Sequence, residues 1–68
     1  MIVKIHTQYI TLGQFLKLAG LISTGGQARK FIEDNKILVN GAAAQQRGKK
    51  IHPGDLVIVN KNEYTVTR

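Results

Sequence analysis

Basic side chains are the residues of this sequence whose type and spacing could do chemistry. Three of the four residues in the segment at 47–50 are cations (Arg47, Lys49 and Lys50), and Arg29 and Lys30 are adjacent. Residues 29–50 hold six of the ten cations. Clustered positive charge attracts a polyanion such as a nucleic acid. The alternative is a solvated loop that keeps a small protein in solution.

Backbone donors near position 25 offer a second possible contact. If Thr24 is a helix N-cap, Gly25 and Gly26 are the first two helical residues, and no Cβ shields their amides. A phosphate could dock on such donors. The alternative is that the glycines only permit a tight start of the helix. Arg29 follows three and four residues later and shares their face.

The helix cations have acidic neighbours at helical spacing. Arg29 precedes Glu33 by four residues, and Lys30 precedes Asp34 by four. Pairs in this order are worth at most a few tenths of a kcal/mol. They would leave the charge of both cations available to a partner.

Catalytic constellations are missing from the sequence. His6 and His52 are far apart, Ser23 has no neighbouring histidine, and the chain has no cysteine. No Gly-rich nucleotide motif or metal-ligand spacing occurs. The sequence therefore predicts a protein that is not an enzyme, without cofactor, metal ion or small-molecule substrate.

The length of 68 residues allows one small domain over 1–68. Such a chain buries only about 60% of its unfolded surface, which leaves little room for a deep pocket. The first ten residues lack the apolar run of a signal peptide, and no apolar stretch reaches the 18 residues of a membrane span. We expect a cytoplasmic protein without membrane contact.

Two amphipathic helices are predicted, near 11–19 and near 24–34. Each begins with a capping-box pattern, Thr11 with Gln14 and Thr24 with Gln27. Leu12, Phe15, Leu16 and Ala19 follow helical spacing, as do Ala28, Phe31 and Ile32.

Short strands flank the helices. The β-branched run at 2–6 and the runs at 37–39, 56–59 and 64–66 predict strands. Asn40-Gly41 predicts a type I′ hairpin turn, and Lys61-Asn62 is predicted to close a second hairpin. The fold class is therefore α+β, with two short helices packed on a small, mostly antiparallel sheet. Tyr9 and Tyr64 lie outside the basic segment, so no stacking platform for single strands is predicted.

The order of helix pair, VNG hairpin, basic loop and GD turn resembles a known family. The segments LGQFLKLAGLISTGGQARKFI, ILVNG and IHPGDLVIV resemble the S-four RNA-binding domain, named after ribosomal small-subunit protein four and also called the alpha-L motif. The resemblance covers about residues 10–59. The most similar subgroup is the small free-standing bacterial proteins of the YaaA type.

This resemblance implies RNA binding without catalysis, on a surface formed by the second helix and the following β-loop. The implied RNA-binding residues are Thr24, Gly25, Gly26, Gln27, Arg29, Lys30, Arg47, Lys49 and Lys50. Many family members carry two arginines where this chain has Gly25 and Gly26. The contact then falls to bare amides or shifts to the loop, or the affinity for RNA is lower.

Three hypotheses follow. The first is a protein that binds structured RNA, such as rRNA, tRNA or a ribosomal particle. The second is a protein-interaction module whose basic face docks an acidic partner. The third is a duplex DNA binder, although the second helix offers few side chains for reading base edges.

Overall fold

The computed structural model describes all residues from Met1 to Arg68. It contains seven strands, two α-helices and one 3₁₀ turn. The elements in chain order are β1 (Ile2–Lys4), β2 (Ile10–Thr11), α1 (Leu12–Leu18), the 3₁₀ turn (Gly25–Gln27), α2 (Ala28–Asp34), β3 (Ile37–Val39), β4 (Ala42–Ala43), β5 (Lys50–Ile51), β6 (Leu56–Val59) and β7 (Asn62–Thr67).

The strands form two sheets. The larger has the order β1-β7-β6-β3-β4, in which only the β1–β7 pair is parallel. The smaller is an antiparallel ribbon of β2 and β5, with Ile10 opposite Ile51 and Thr11 opposite Lys50. The predicted α+β class, with two short helices and a mostly antiparallel sheet, is confirmed.

Helix α1 follows its sequence signals closely. Thr11 is the N-cap, and its backbone N–H donates to Gln14 Oε1 at 2.9 Å, while the Gln14 N–H donates to Thr11 Oγ1 at 3.3 Å. The helix ends before Gly20, whose φ of +77° only glycine adopts readily. Leu12, Phe15 and Leu16 are buried.

The second helix differs from its predicted start. Residues 25–27 form a 3₁₀ turn, and α2 proper runs from Ala28 to Asp34. The side chain of Gln27 accepts hydrogen bonds from the backbone amides of Ser23 (2.7 Å) and Thr24 (3.1 Å), as its half of the predicted box requires. With two successive glycines at its start, the segment takes the tighter turn before the regular helix begins.

Asparagine residues in positive φ make the two hairpin turns. At the first, Asn40 (φ +52°) and Gly41 (φ +85°) confirm the predicted turn. At the second, Val59 pairs with Asn62, so the loop is Asn60-Lys61 and not the predicted Lys61-Asn62. Asn60 takes the positive φ, at +58°. The side chain of Asn60 also accepts a hydrogen bond from the Lys36 amide at 3.1 Å. This bond favours Asn60 over Asn62 as the turn residue.

The first and the last predicted strands differ from the structure at their ends. The first strand stops at Lys4 rather than residue 6, although the Ile5 amide still donates to the Thr67 carbonyl at 2.8 Å. The last strand covers 62–67, longer than the predicted 64–66. Parallel pairing with β1 extends the hydrogen-bonded length of β7.

One core joins the helices to the larger sheet. Phe15 is fully buried and its ring meets that of Tyr64 edge-on, with centroids 5.6 Å apart. Ala28 and Ile32 of α2 are buried in the same cluster, and Phe31 packs against it. The helices are thereby fixed to the sheet, and their polar faces stay exposed.

Candidate nucleic-acid interface

The basic loop, defined as residues 47–50, is held by the first turn of α1. The Leu12 amide donates to the Lys49 carbonyl at 2.8 Å, and the Gly13 amide donates to the Arg47 carbonyl at 2.9 Å. The first amides of a helix have no partner within the helix. Here the loop carbonyls satisfy two of them, so the loop backbone is fixed while its cationic side chains remain exposed.

Gly13 lies beside the loop at ordinary van der Waals distances. A Cβ on Gly13 would lie 3.7 Å from both the carbonyl oxygen and the Cβ of Arg47, and 3.6 Å from the Cβ of Ala28. Gly13 therefore sits where α1, α2 and the basic loop meet. This junction sets the position of Arg47 relative to both helices.

Two shallow grooves border Arg47. One lies between α1, the 3₁₀ turn and the loop, and its lining includes Lys17, Gly25 and Arg47. The other lies between α2 and the residues before the loop, and Arg29 and Arg47 line it together. The structure thus brings Gly25, Arg29 and Arg47 of the predicted set to one side of the molecule.

Other predicted residues face elsewhere. Gly26, Gln27 and Lys30 line a groove with Phe31 on the opposite flank of α2. Lys49 borders the strand that follows the Asn40-Gly41 turn. Thr24 is exposed at the N-terminal end of the 3₁₀ turn. The nine predicted residues therefore surround α2 and the loop instead of forming one flat patch.

The glycine pair has open space around it. A Cβ at Gly25 would meet no atom within 4 Å, and one at Gly26 would meet only Thr24 Oγ1 at 3.9 Å. Neither residue has a positive φ. The fold would accept side chains at both positions, so the glycines leave the backbone bare without being needed for packing.

Charge is distributed differently on α2 and on the basic loop. Arg29 Nε lies 3.5 Å from Glu33 Oε1, and Lys30 Nζ lies 3.1 Å from Asp34 Oδ2. Both predicted i,i+4 pairs are present, and all four side chains are well exposed. Exposed pairs of this kind hold little energy, yet the two acids cancel the formal charge of the helix.

The loop cations have no such partners. No acidic oxygen lies within ion-pair distance of Arg47, Lys49 or Lys50. The ammonium of Lys50 instead lies 4.9 Å from the centre of the Tyr9 ring. The loop is therefore a segment of uncompensated positive charge on a fixed backbone.

A carboxylate anchors the turn behind the loop. Asp55 Oδ2 accepts from the His52 amide at 2.8 Å, and Asp55 Oδ1 accepts from Asn40 Nδ2 at 3.0 Å. Partial burial alone would raise the pKa of Asp55. These two hydrogen bonds, together with electrostatic interactions with His52 and Lys49, bring the pKa of Asp55 below its ordinary value. Asp55 therefore caps the turn at residues 52–55.

Two residues at the surface were not among the predicted ones. Lys17 lies on the α1 face that lines the Arg47 groove. Because Lys17 follows Gly13 by four residues, the two share one face of the helix, and this spacing could have indicated that Lys17 lies near the loop. Tyr9, expected outside the basic segment, lies under Lys50 because the β2–β5 ribbon joins stretches forty residues apart.

No cluster of three or more histidine, cysteine or acidic residues is arranged to hold a metal ion. The two helices of the structure are also too short to cross a membrane.

Comparison with known proteins adds a family and relatives. The model of a family described as the S4 domain matches residues 3–67. A protein of Bacillus subtilis (strain 168) named "Probable ribosome maturation protein RlbA" is 47% identical over 55 residues, which cover 81% of this chain and 78% of that protein. A tyrosine–tRNA ligase of Burkholderia lata is 33% identical over 49 residues, or 72% of this chain and 12% of the ligase.

Proposed function

Since the chain belongs to the S4 domain family, we propose that it is a non-catalytic RNA-binding protein that recognises structured RNA, such as rRNA, tRNA or a ribosomal particle. The proposed contact surface consists of the basic loop and the start and exposed face of the second helix. Its residues are Thr24, Gly25, Gly26, Gln27, Arg29, Lys30, Arg47, Lys49 and Lys50.

The observation that carries this proposal is the uncompensated charge of the basic loop. Arg47, Lys49 and Lys50 project from a backbone that α1 holds with two hydrogen bonds, and none of them has an acidic partner. Double-stranded RNA is bound by shape and by contacts to phosphates and 2′-hydroxyls. Fixed, exposed cations on shallow grooves suit such contacts and need no deep pocket.

The relatives narrow the choice of RNA. The printed name of the Bacillus subtilis relative refers to ribosome maturation, and the alignment covers most of both chains. We therefore favour an RNA of the ribosome or its precursors, met in the cytoplasm. The ligase shares with this chain only about an eighth of its own length, so its aminoacylation activity is not part of the proposal.

A binding experiment tests the proposal. The purified protein is titrated against a structured rRNA fragment, duplex DNA of the same length and heparin, at several salt concentrations. We expect the RNA to bind most tightly, with log K falling by about 0.7–0.9 per phosphate contact for each log unit of salt. Equal affinity for RNA and heparin would contradict the proposal. Tighter binding to duplex DNA would support the DNA-binding alternative.

The protein-interaction alternative is tested in cells. A pull-down of the tagged protein before and after nuclease treatment separates RNA-mediated partners from direct ones. We expect partners to be lost on treatment. Retention of an acidic protein partner, with no enrichment of RNA, would favour the interaction module.

A further inference from the structure

We propose that Tyr9, together with Lys50 and His52, forms a stacking site for one unpaired base of the bound RNA. This inference rests on the proposed RNA-binding function and extends it. Phosphate contacts alone do not distinguish paired from unpaired nucleotides, whereas a stacking site would select RNA with a bulged or looped base next to a helix.

Tyr9 is the exposed aromatic residue of the chain. Tyr9 is 41% exposed, whereas Phe15 and Tyr64 are buried and Phe31 packs against the core. The Tyr9 hydroxyl takes part in no hydrogen bond within the protein. The fold therefore uses neither the ring as core nor the hydroxyl as an anchor.

The position of the ring is set by its neighbours. The Thr7 hydroxyl donates to the Tyr9 carbonyl at 2.7 Å, which fixes the bend before β2. The rings of Tyr9 and His52 are tilted by 47°, with centroids 5.8 Å apart, and Lys50 Nζ lies 4.9 Å from the Tyr9 ring centre. A cation and a second ring thus flank the partly exposed ring of Tyr9.

The cluster continues the basic loop. Lys50 belongs both to the loop and to β5, where it lies opposite Thr11, the second residue after Tyr9. A base stacked on Tyr9 would bring its own phosphate close to the ammonium of Lys50, since base and phosphate belong to one nucleotide. The ammonium of Lys50 can then leave the Tyr9 ring and pair with this phosphate. Stacking on an aromatic ring and a cation on the phosphate are the two contacts that proteins use for unpaired nucleotides.

Stacking on tyrosine is tolerant of sequence because every base has a π face. The site should therefore distinguish an unpaired base from a paired one, with little preference among the four bases. This expectation differs from direct base readout, which would need side-chain hydrogen bonds to base edges.

Two RNA hairpins and three proteins test the inference. Each hairpin is closed by a polyethylene glycol linker, so that it has no loop bases; one is fully paired, and the other is identical except for a single bulged 2-aminopurine, whose fluorescence is quenched on stacking. The proteins are the wild type, Tyr9→Leu, which removes the ring, and Tyr9→Phe, which keeps the ring and removes the hydroxyl. Thermal unfolding checks that all three fold. The readouts are the quenching and the ratio of affinities for the two hairpins.

We expect the wild type and Tyr9→Phe to prefer the bulged hairpin by about 5- to 150-fold and to quench its fluorescence. Tyr9→Leu should lose both effects. A wild type that binds both hairpins equally, or a Tyr9→Leu variant that retains the preference, would overturn the inference. Failure of both hairpins to bind better than heparin would instead count against RNA binding itself.

Discussion

Helix α2 and the basic loop both carry exposed cations, but in different electrostatic settings. On α2, Arg29 and Lys30 each face an acid one turn later. In the loop, Arg47, Lys49 and Lys50 form no ion pair with an acid. The helix is close to neutral as a unit, whereas the loop keeps its full charge.

The two regions also differ in how they are held. Helix α2 is fixed by its buried side chains Ala28 and Ile32. The loop has exposed side chains throughout and is fixed by its backbone, through the amides of Leu12 and Gly13. Replacing loop side chains should therefore leave the fold intact, because the anchoring hydrogen bonds involve main-chain atoms only. We therefore expect the loop to contribute more to RNA affinity than the helix.

Removing the loop charges should have the largest effect. Replacement of Arg47, Lys49 and Lys50 by Ala should lower RNA affinity by roughly 10- to 150-fold, if each exposed ionic contact is worth about 0.5–1 kcal/mol. A fluorescence anisotropy titration would measure this. The matched control removes three cations from other parts of the chain, Lys4, Lys61 and Arg68, and should change affinity much less. Similar losses in both variants would mean that only net charge matters.

Adding charge at the helix start should have the next largest effect. The open space at Gly25 and Gly26 allows Gly25→Arg and Gly26→Arg together without a clash. Two further phosphate contacts should raise RNA affinity by roughly 5- to 30-fold on the same scale. The control replaces both glycines with Gln, which adds polar side chains without charge. No gain with arginine would place the 3₁₀ turn away from the RNA.

Removing the acids of α2 should have a smaller effect. The double variant Glu33→Gln and Asp34→Asn frees Arg29 and Lys30 and should raise affinity by about 2- to 5-fold, since each exposed pair is worth only a few tenths of a kcal/mol. Glu63→Gln removes one acid from β7, and twice its effect on log K is the control for the two acids removed from α2. If the α2 variant binds no better than this control, the ion pairs on α2 do not limit the contribution of Arg29 and Lys30 to RNA affinity.

The smallest expected effect is a loss of stability in acid. The folded-state pKa of Asp55 lies below its ordinary value, so its stabilising contribution is complete above about pH 3.9. It disappears as the pH falls through the lower folded-state value. Thermal unfolding between pH 2.5 and 6 should show this loss for the wild type and a weaker pH dependence for Asp55→Asn. If stability depends on pH equally in the wild type and in Asp55→Asn, Asp55 does not contribute to the loss of stability in acid.

Local signals in the sequence were sufficient for much of the fold. The capping box at Thr11 and Gln14 and the Asn40-Gly41 turn depend on residues within four positions of each other, and both are present. The strands at 37–39 and 56–59 were predicted with their observed limits. The family resemblance, which rests on the order of such segments, is confirmed by the match over residues 3–67.

Features that depend on distant parts of the chain were missed. The parallel pairing of β1 with β7 and the two-residue β2–β5 ribbon join segments that leave no periodic pattern. The ribbon places Tyr9 beside Lys50, so the position of Tyr9 next to the basic loop was also missed. The second hairpin turn was predicted one residue too late. Asparagine adopts positive φ readily, and because Asn60 and Asn62 lie on either side of Lys61, the sequence alone did not show that Asn60 takes this conformation.

The salt dependence of binding tests the difference between the two regions most directly. Two double variants remove the same charge, Lys49→Ala with Lys50→Ala in the loop and Arg29→Ala with Lys30→Ala on the helix. We predict that the loop pair lowers the slope of log K against log salt by about 1.4–1.8, from two lost phosphate contacts. The helix pair should lower it by less than half as much. An equal or larger decrease for the helix pair would contradict the claim that the loop dominates binding.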